Sequence, residues 1–151
     1  MSLKQGFLGT QAPLYADWVL VLEIAMGGTL LLGAFLARSK RYRAHAYCQS
    51  FIVLLNLFVV VLVMVPSFRV RVAPKIPARL GTTSYALATA HAALGSVAEI
   101  LGLYIVLAAG TKLFPERLRL SRYKLWMRSL LALWWIVLLL GCATYARWYI
   151  R

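Results

Sequence analysis

An imidazole and two carboxylates, His91, Glu23 and Glu99, stand inside long apolar runs of this chain, and the amides Gln49 and Asn56 stand inside another. Ionisable groups in such runs are costly to bury and turn toward partners rather than toward lipid. A neutral imidazole can give one ring nitrogen to a haem iron or a metal while the other donates to a carboxylate or a carbonyl. Glu23 follows Asp17 by six residues and His91 follows Ser84 by seven. Each therefore sits roughly 10 Å below one edge of its run, at the rise of a helix. That matched depth fits three chemistries: a hydrogen-bonded Glu23–His91 pair that fixes helix register, a haem or metal site with His91 as ligand and Glu23 beside it, or a proton relay. Glu99 comes eight residues after His91 and returns to nearly the same helix face. Gly95 and Gly102 share that neighbourhood, and small residues there admit a second helix or a flat cofactor.

His45 is the other histidine of the chain. It opens the second apolar run, whereas His91 lies near the opposite edge of the third, an axial separation of about 15–20 Å. One haem clamped between both imidazoles is disfavoured by that distance. A site at His91 alone, a site at His45 near the other surface, and a partly hydrated His45 beside Arg43 all stay open. Cys48 and Cys142 fall near opposite ends of antiparallel spans, beyond the Cα reach of about 7 Å that a disulfide allows. No CxxC is present, nor GxSxG, HExxH, a phosphate-binding loop or GxGxxG, so the common soluble catalytic constellations are excluded.

The elements that must position these groups follow from composition. Of 151 residues, 62% are apolar and 14% charged, against roughly a quarter charged in ordinary soluble domains. Lys and Arg number 17 against 4 Asp and Glu. The basic residues cluster between apolar runs, which is the pattern of membrane topology and not of a nucleic-acid-binding face. Four runs reach the 20 or so residues that a crossing needs: residues 17–36, 44–65 (ending at Pro66), 84–109 and 125–145. The segment before Ala16 reads as a short tail outside the membrane, and the first run lacks the features of a cleaved signal.

Loop charge sets orientation. Arg38, Lys40, Arg41 and Arg43 join spans one and two; Lys112, Arg117, Arg119, Arg122, Lys124 and Arg128 join spans three and four. Lys4, Arg69, Arg71, Lys75, Arg79, Arg147 and Arg151 fall on the other side, seven against ten, which places both termini outside. Tyr15, Trp18, Tyr145, Trp148 and Tyr149 mark the outer interface, and Tyr42, Tyr47, Tyr123 and Trp126 the inner one. Arg41-Tyr42-Arg43 and Arg122-Tyr123-Lys124 open spans two and four alike, a hint of two tandem helical hairpins.

Trp134, Gly141 and Tyr145 in the last span, after His91, Tyr123-Lys124 and Arg128, have a familiar spacing, as do Glu23, Gly33 and His45 in the first half. In these residues the chain, over Glu23 to Tyr145, resembles a family of small four-helix bacterial membrane proteins of unknown function. That family includes the CtaM-type assembly factors for haem-copper terminal oxidases. Its members have histidines at the positions matched by His45 and His91 and a further one opening the last span, where this chain has Tyr123. The polar position of span one, often an amide in the family, is Glu23 here.

The expected fold is all-α, an integral membrane up-down four-helix bundle forming a single domain over residues 1–151. The resemblance implies a non-catalytic protein of the respiratory chain in the bacterial inner (cytoplasmic) membrane. It would assist assembly of a haem-containing oxidase or serve as its accessory subunit, with membrane lipids and other respiratory subunits as partners and no nucleic acid. The rival expectation is a haem-b electron carrier with His91 as axial ligand to the haem iron and His45 and Glu23 as further cofactor-binding candidates. Glu23, His91, Glu99 and Asn56 are the expected buried polar set. A proton or solute transporter is the third reading, and the chain shows no pair of broken helices to favour it.

Overall fold

The computed structural model describes residues 6–110 and 122–150. Lys4, Lys112, Arg117, Arg119 and Arg151, which entered the charge count, lie outside the described residues. The described residues are helical almost throughout and contain no β-strand. Helix α1 spans Leu14–Arg38, α2 Tyr42–Val59, α3 Val65–Arg71, α4 Ile76–Arg79, α5 Thr83–Gly110 and α6 Tyr123–Tyr149. A π turn, Val60–Met64, joins α2 to α3, and a 3₁₀ turn, Ala73–Lys75, precedes α4.

Four helical stretches are long and apolar enough to cross a membrane: Leu14–Arg38, Tyr42–Arg79, Thr83–Gly110 and Tyr123–Tyr149. Helix α5 has 28 residues, about 42 Å of helix against a hydrocarbon core of about 30 Å. Helix α1 packs on α2 and α6, and α5 packs on α2 and α6. Large apolar side chains face outward from all four stretches, Phe35, Phe58, Ile100 and Leu139 among them. The interior is correspondingly small: Met26, Leu30 and Ile52 form one buried cluster, and Val72, Tyr85 and Ala88 a second.

Local chemistry explains the boundaries. Pro13, whose fixed φ suits a helix start, immediately precedes α1. At the other end Lys40 adopts φ 59°. The Arg41 amide donates to Leu36 O at 2.9 Å and the Lys40 amide to Ala37 O at 3.1 Å, the bond pair that closes a helix through one left-handed residue.

The second stretch departs from expectation. Pro66 does not end it; the chain continues helically to Arg71. A proline inside a helix offers no N–H to the carbonyl four residues back and its ring crowds that carbonyl. The π turn absorbs this conflict by admitting one extra residue, and the Val65 amide bonds to Val60 O, five residues back. Such a turn next to proline is a standard cause of a kink. Past it, the π turn packs mainly on α2 and α3, and Phe68 of α3 packs on the cluster of Val72, Tyr85 and Ala88.

Deleting Val61 should therefore restore regular winding and rotate α3 by about 100°. Val72 would then leave its contacts with Tyr85 and Ala88. The thermal midpoint in detergent should fall by about 5 °C, the shift that a loss of about 2 kcal/mol produces in a chain of this size. An unchanged midpoint would show that the π turn positions nothing.

Candidate functional site

The two histidines play parallel roles, one in each helical hairpin. His45 Nδ1 lies 2.7 Å from Gly33 O, and His91 Nδ1 lies 3.0 Å from Val137 O. A carbonyl only accepts, so in both cases Nδ1 carries the hydrogen and, in the neutral ring, Nε2 keeps a lone pair. A glycine stands at both contacts, Gly141 against the His91 ring and Gly33 as the acceptor of His45. A Cβ on Gly141 would stand 3.0 Å from the His91 ring, and a Cβ on Gly33 would collide with the Gln49 amide. Gln49 Nε2 in turn donates to Leu30 O at 3.2 Å, and Cys48 Sγ faces Thr29 O at 3.5 Å. Three side chains of α2 thus bond to the α1 backbone, and one of α5 bonds to α6.

The structure keeps the two histidines apart: His45 meets α1 near its loop end, and His91 meets α6 beside Gly141. No hydrogen bond joins Glu23 to His91. Glu23 Oε1 is shut off from solvent and has no partner. Glu99, by contrast, accepts 2.8 Å from Asn56 Nδ2, a bond between two buried residues on α5 and α2. Asn56 Oδ1 and Glu99 Oε1 remain without partners, as do Thr89 Oγ1 and Trp135 Nε1. Cys48 and Cys142 are not paired with each other. Tyr123, which stands where the resembled family has a histidine, donates its hydroxyl to Ala108 O near the end of α5 at 3.3 Å.

These groups surround a cavity of about 550 Å³, within the usual range of small-molecule sites. Its walls are mostly apolar, and Glu23, Asn56, Thr89, His91 and Arg71 are among the polar residues that line it. The π turn and α3 form one wall through Val60, Val63, Met64 and Phe68. The void lies between that segment and α1, α5 and α6.

A second polar centre was not foreseen. Asp17 is completely buried. Its carboxylate accepts the Leu8 amide at 2.8 Å and the Tyr145 hydroxyl at 2.5 Å, and Thr10 Oγ1 lies 2.7 Å from the same phenol. Gly6 packs so tightly on Asp17 that any Cβ would clash. The Gln11 amide donates to Tyr149 O at 3.1 Å. Residues 6–12 therefore fold down over the terminus end of the helices instead of trailing from it. The available signal was an acid one turn into a helix that starts after proline, in a chain with only 4 acidic residues. Among the described residues no group of three or more His, Cys, Asp or Glu could hold a metal ion.

No protein family matches the chain, and neither a curated protein nor a solved structure is significantly similar to it.

The contrast between the two glutamates can be measured. Asn56→Ala leaves the Glu99 carboxyl buried without its amide and should cost about 1–3 kcal/mol, seen as a lower thermal midpoint in detergent. Glu23→Gln breaks no hydrogen bond and should leave the midpoint within error. A fall in Glu23→Gln equal to that in Asn56→Ala would mean that Glu23 has a structural partner. Tyr145→Phe should expose residues 6–12 to limited proteolysis while the helices stay intact; unchanged cleavage would show that the Asp17 centre does not hold the segment down.

Proposed function

We propose that this chain is an integral protein of the bacterial inner membrane, an up-down four-helix bundle with both termini outside. We propose further that it acts without catalysis of its own, in assembling a haem-containing respiratory oxidase or as an accessory subunit of one. The observation that carries the reading is the outward apolar surface of all four long helices, with Phe35, Phe51, Phe58, Ile100 and Leu139 exposed. Such surface needs lipid or the helices of a partner around it. The side-chain-to-backbone bonds of His45, Gln49 and His91 fit that setting, because polar groups in hydrocarbon must find partners within the protein. The likeness over Glu23 to Tyr145 supplies the respiratory context.

One observation favours a second reading, a haem-b electron carrier. His91 Nδ1–H is held by the Val137 carbonyl, an arrangement that leaves Nε2 free and orients a metal-ligating ring. His91 also lines the cavity. Haem bound there would supply one-electron chemistry, and His91 is the residue that would hold it. His45 is bound to Gly33 O in the other hairpin and lines no part of this cavity.

Purification in mild detergent from a respiring bacterial host separates the readings. The assembly or subunit role predicts a colourless chain that carries oxidase subunits with it. The carrier role predicts a Soret band that His91→Ala abolishes and His45→Ala retains. A colourless chain that captures no respiratory subunit would overturn both. For topology, alkaline phosphatase fused after residue 150 should be active and a fusion in the Ser39–Arg41 turn inactive; the reverse pattern would invert the orientation.

A further inference from the structure

We infer that the cavity is a binding site for a lipophilic amine, an apolar molecule with one ammonium group that sits against Glu23. This goes beyond the oxidase reading and does not depend on it.

The unmatched atoms set the ligand's chemistry. Glu23 and Asn56 line the void, and each has a closed-off oxygen without a partner, Glu23 Oε1 and Asn56 Oδ1. Asn56 is 8% exposed, and its amide nitrogen is already committed to Glu99. An unbonded buried carboxylate or amide oxygen costs free energy that a donor recovers. An amide oxygen only accepts, so a ligand that meets it must bring N–H or O–H. Of the two, the ammonium also supplies the charge that Glu23 lacks.

Among the described residues no cation pairs with Glu23. Arg69 and Arg71 are the basic side chains among the lining residues. Arg71 lies over the Tyr15 ring, 5.5 Å from its centre, and its Nη1 reaches the Tyr149 hydroxyl at 3.4 Å. Tyr15 is eight residues before Glu23 on α1, about 12 Å along the helix. Arg71 is thus held near the terminus end by Tyr15 and Tyr149.

The rest of the wall suits a cation with an apolar body. Trp134 and Trp135 line the void together with aliphatic side chains of α1 and the π turn. Indole faces attract cations by about 0.5–2 kcal/mol, more as water is removed. Entry from the terminus end is opposed by Arg69, Arg71 and the folded residues 6–12. The wall from Val60 to Phe68 carries no charged side chain, which leaves the bilayer side as the route. An amine that partitions into lipid can take it.

The test uses the full chain in detergent with two probes of one shape, 9-aminoacridine, a cation at neutral pH, and anthracene, its uncharged analogue. Quenching of tryptophan fluorescence should report saturable binding of the aminoacridine, at least about tenfold tighter than anthracene. Glu23→Gln should weaken it at least tenfold, Glu99→Gln should leave it within about threefold, and Ala92→Trp, which fills the cavity, should abolish it. Should Glu23→Gln fail to fold, the wild-type chain still decides. Dicyclohexylcarbodiimide converts an accessible buried carboxylic acid to an N-acylurea, and mass spectrometry should find Glu23 protected by aminoacridine but not by anthracene. Equal binding of both probes, undiminished binding in Glu23→Gln, or carbodiimide labelling of Glu23 that aminoacridine does not slow would each overturn the inference.

Discussion

A backbone carbonyl in a helix already accepts one hydrogen bond but keeps a second lone pair, and this protein ties its helices together through that spare capacity. His45, Gln49 and Cys48 reach from α2 to carbonyls of α1, and His91 reaches from α5 to a carbonyl of α6. In a hydrocarbon setting these bonds have no water to compete with, and the hydrophobic effect gives helices little reason to associate. The glycines follow from the same constraint. Gly33 and Gly141 stand where a polar side chain crosses, and a methyl group at either would meet it. Each hairpin therefore carries its own polar clasp, and the Asn56–Glu99 bond links one hairpin to the other.

Hydropathy made the four long helices legible, because a stretch of twenty apolar residues has few other uses. Glu23, Asn56, His91 and Glu99 stand out in the sequence as residue types that hydrocarbon penalises; in the structure Asn56 and Glu99 are buried, and Glu23 and His91 are half-buried. Their partners were not legible. The acceptor for His91 is a carbonyl of Val137, and a carbonyl leaves no mark in a sequence because every residue has one. Matched depth suggested Glu23 for that role, but depth says nothing of rotation about the helix axis. Pro66 read as a terminator on local grounds, and a single widened turn reversed that outcome. Asp17 was legible only as an edge. Its burial depends on residues 6–12 folding back and on Tyr145, which is 128 positions away along the chain.

The widened turn has consequences beyond length. If Tyr42–Arg71 were one regular helix, its far half would continue along α5 as its near half does, and apolar side chains would close the gap. The π turn shifts the register of everything after it, so the half that carries Met64, Phe68 and Val72 meets α5 at Tyr85 and Ala88 instead. The cavity is the space left between these two contact zones, bounded by Asn56 at the near one and Val72 at the far one.

The two glutamates show what that space changes. Both lie in apolar helices, and a membrane tolerates a carboxyl only if it is paired or neutral. Glu99 is enclosed by packed backbone, where a neighbour can reach it, and Asn56 does so. Glu23 lines the void without a partner, and two of the polar residues that share it are engaged elsewhere, Arg71 by Tyr15 and Tyr149 and His91 by Val137. A leucine at position 23 would pack against this wall without the penalty that the acid incurs, so stability alone gives no reason for the residue. The terminus end makes the same distinction from the other side. There Asp17 has its phenol and its amide, and the chain folds a whole segment over it to supply them. Asp17 is partnered on both oxygens, Glu99 has Asn56 on one of its two, and Glu23 lies beside the void with no partner from the protein.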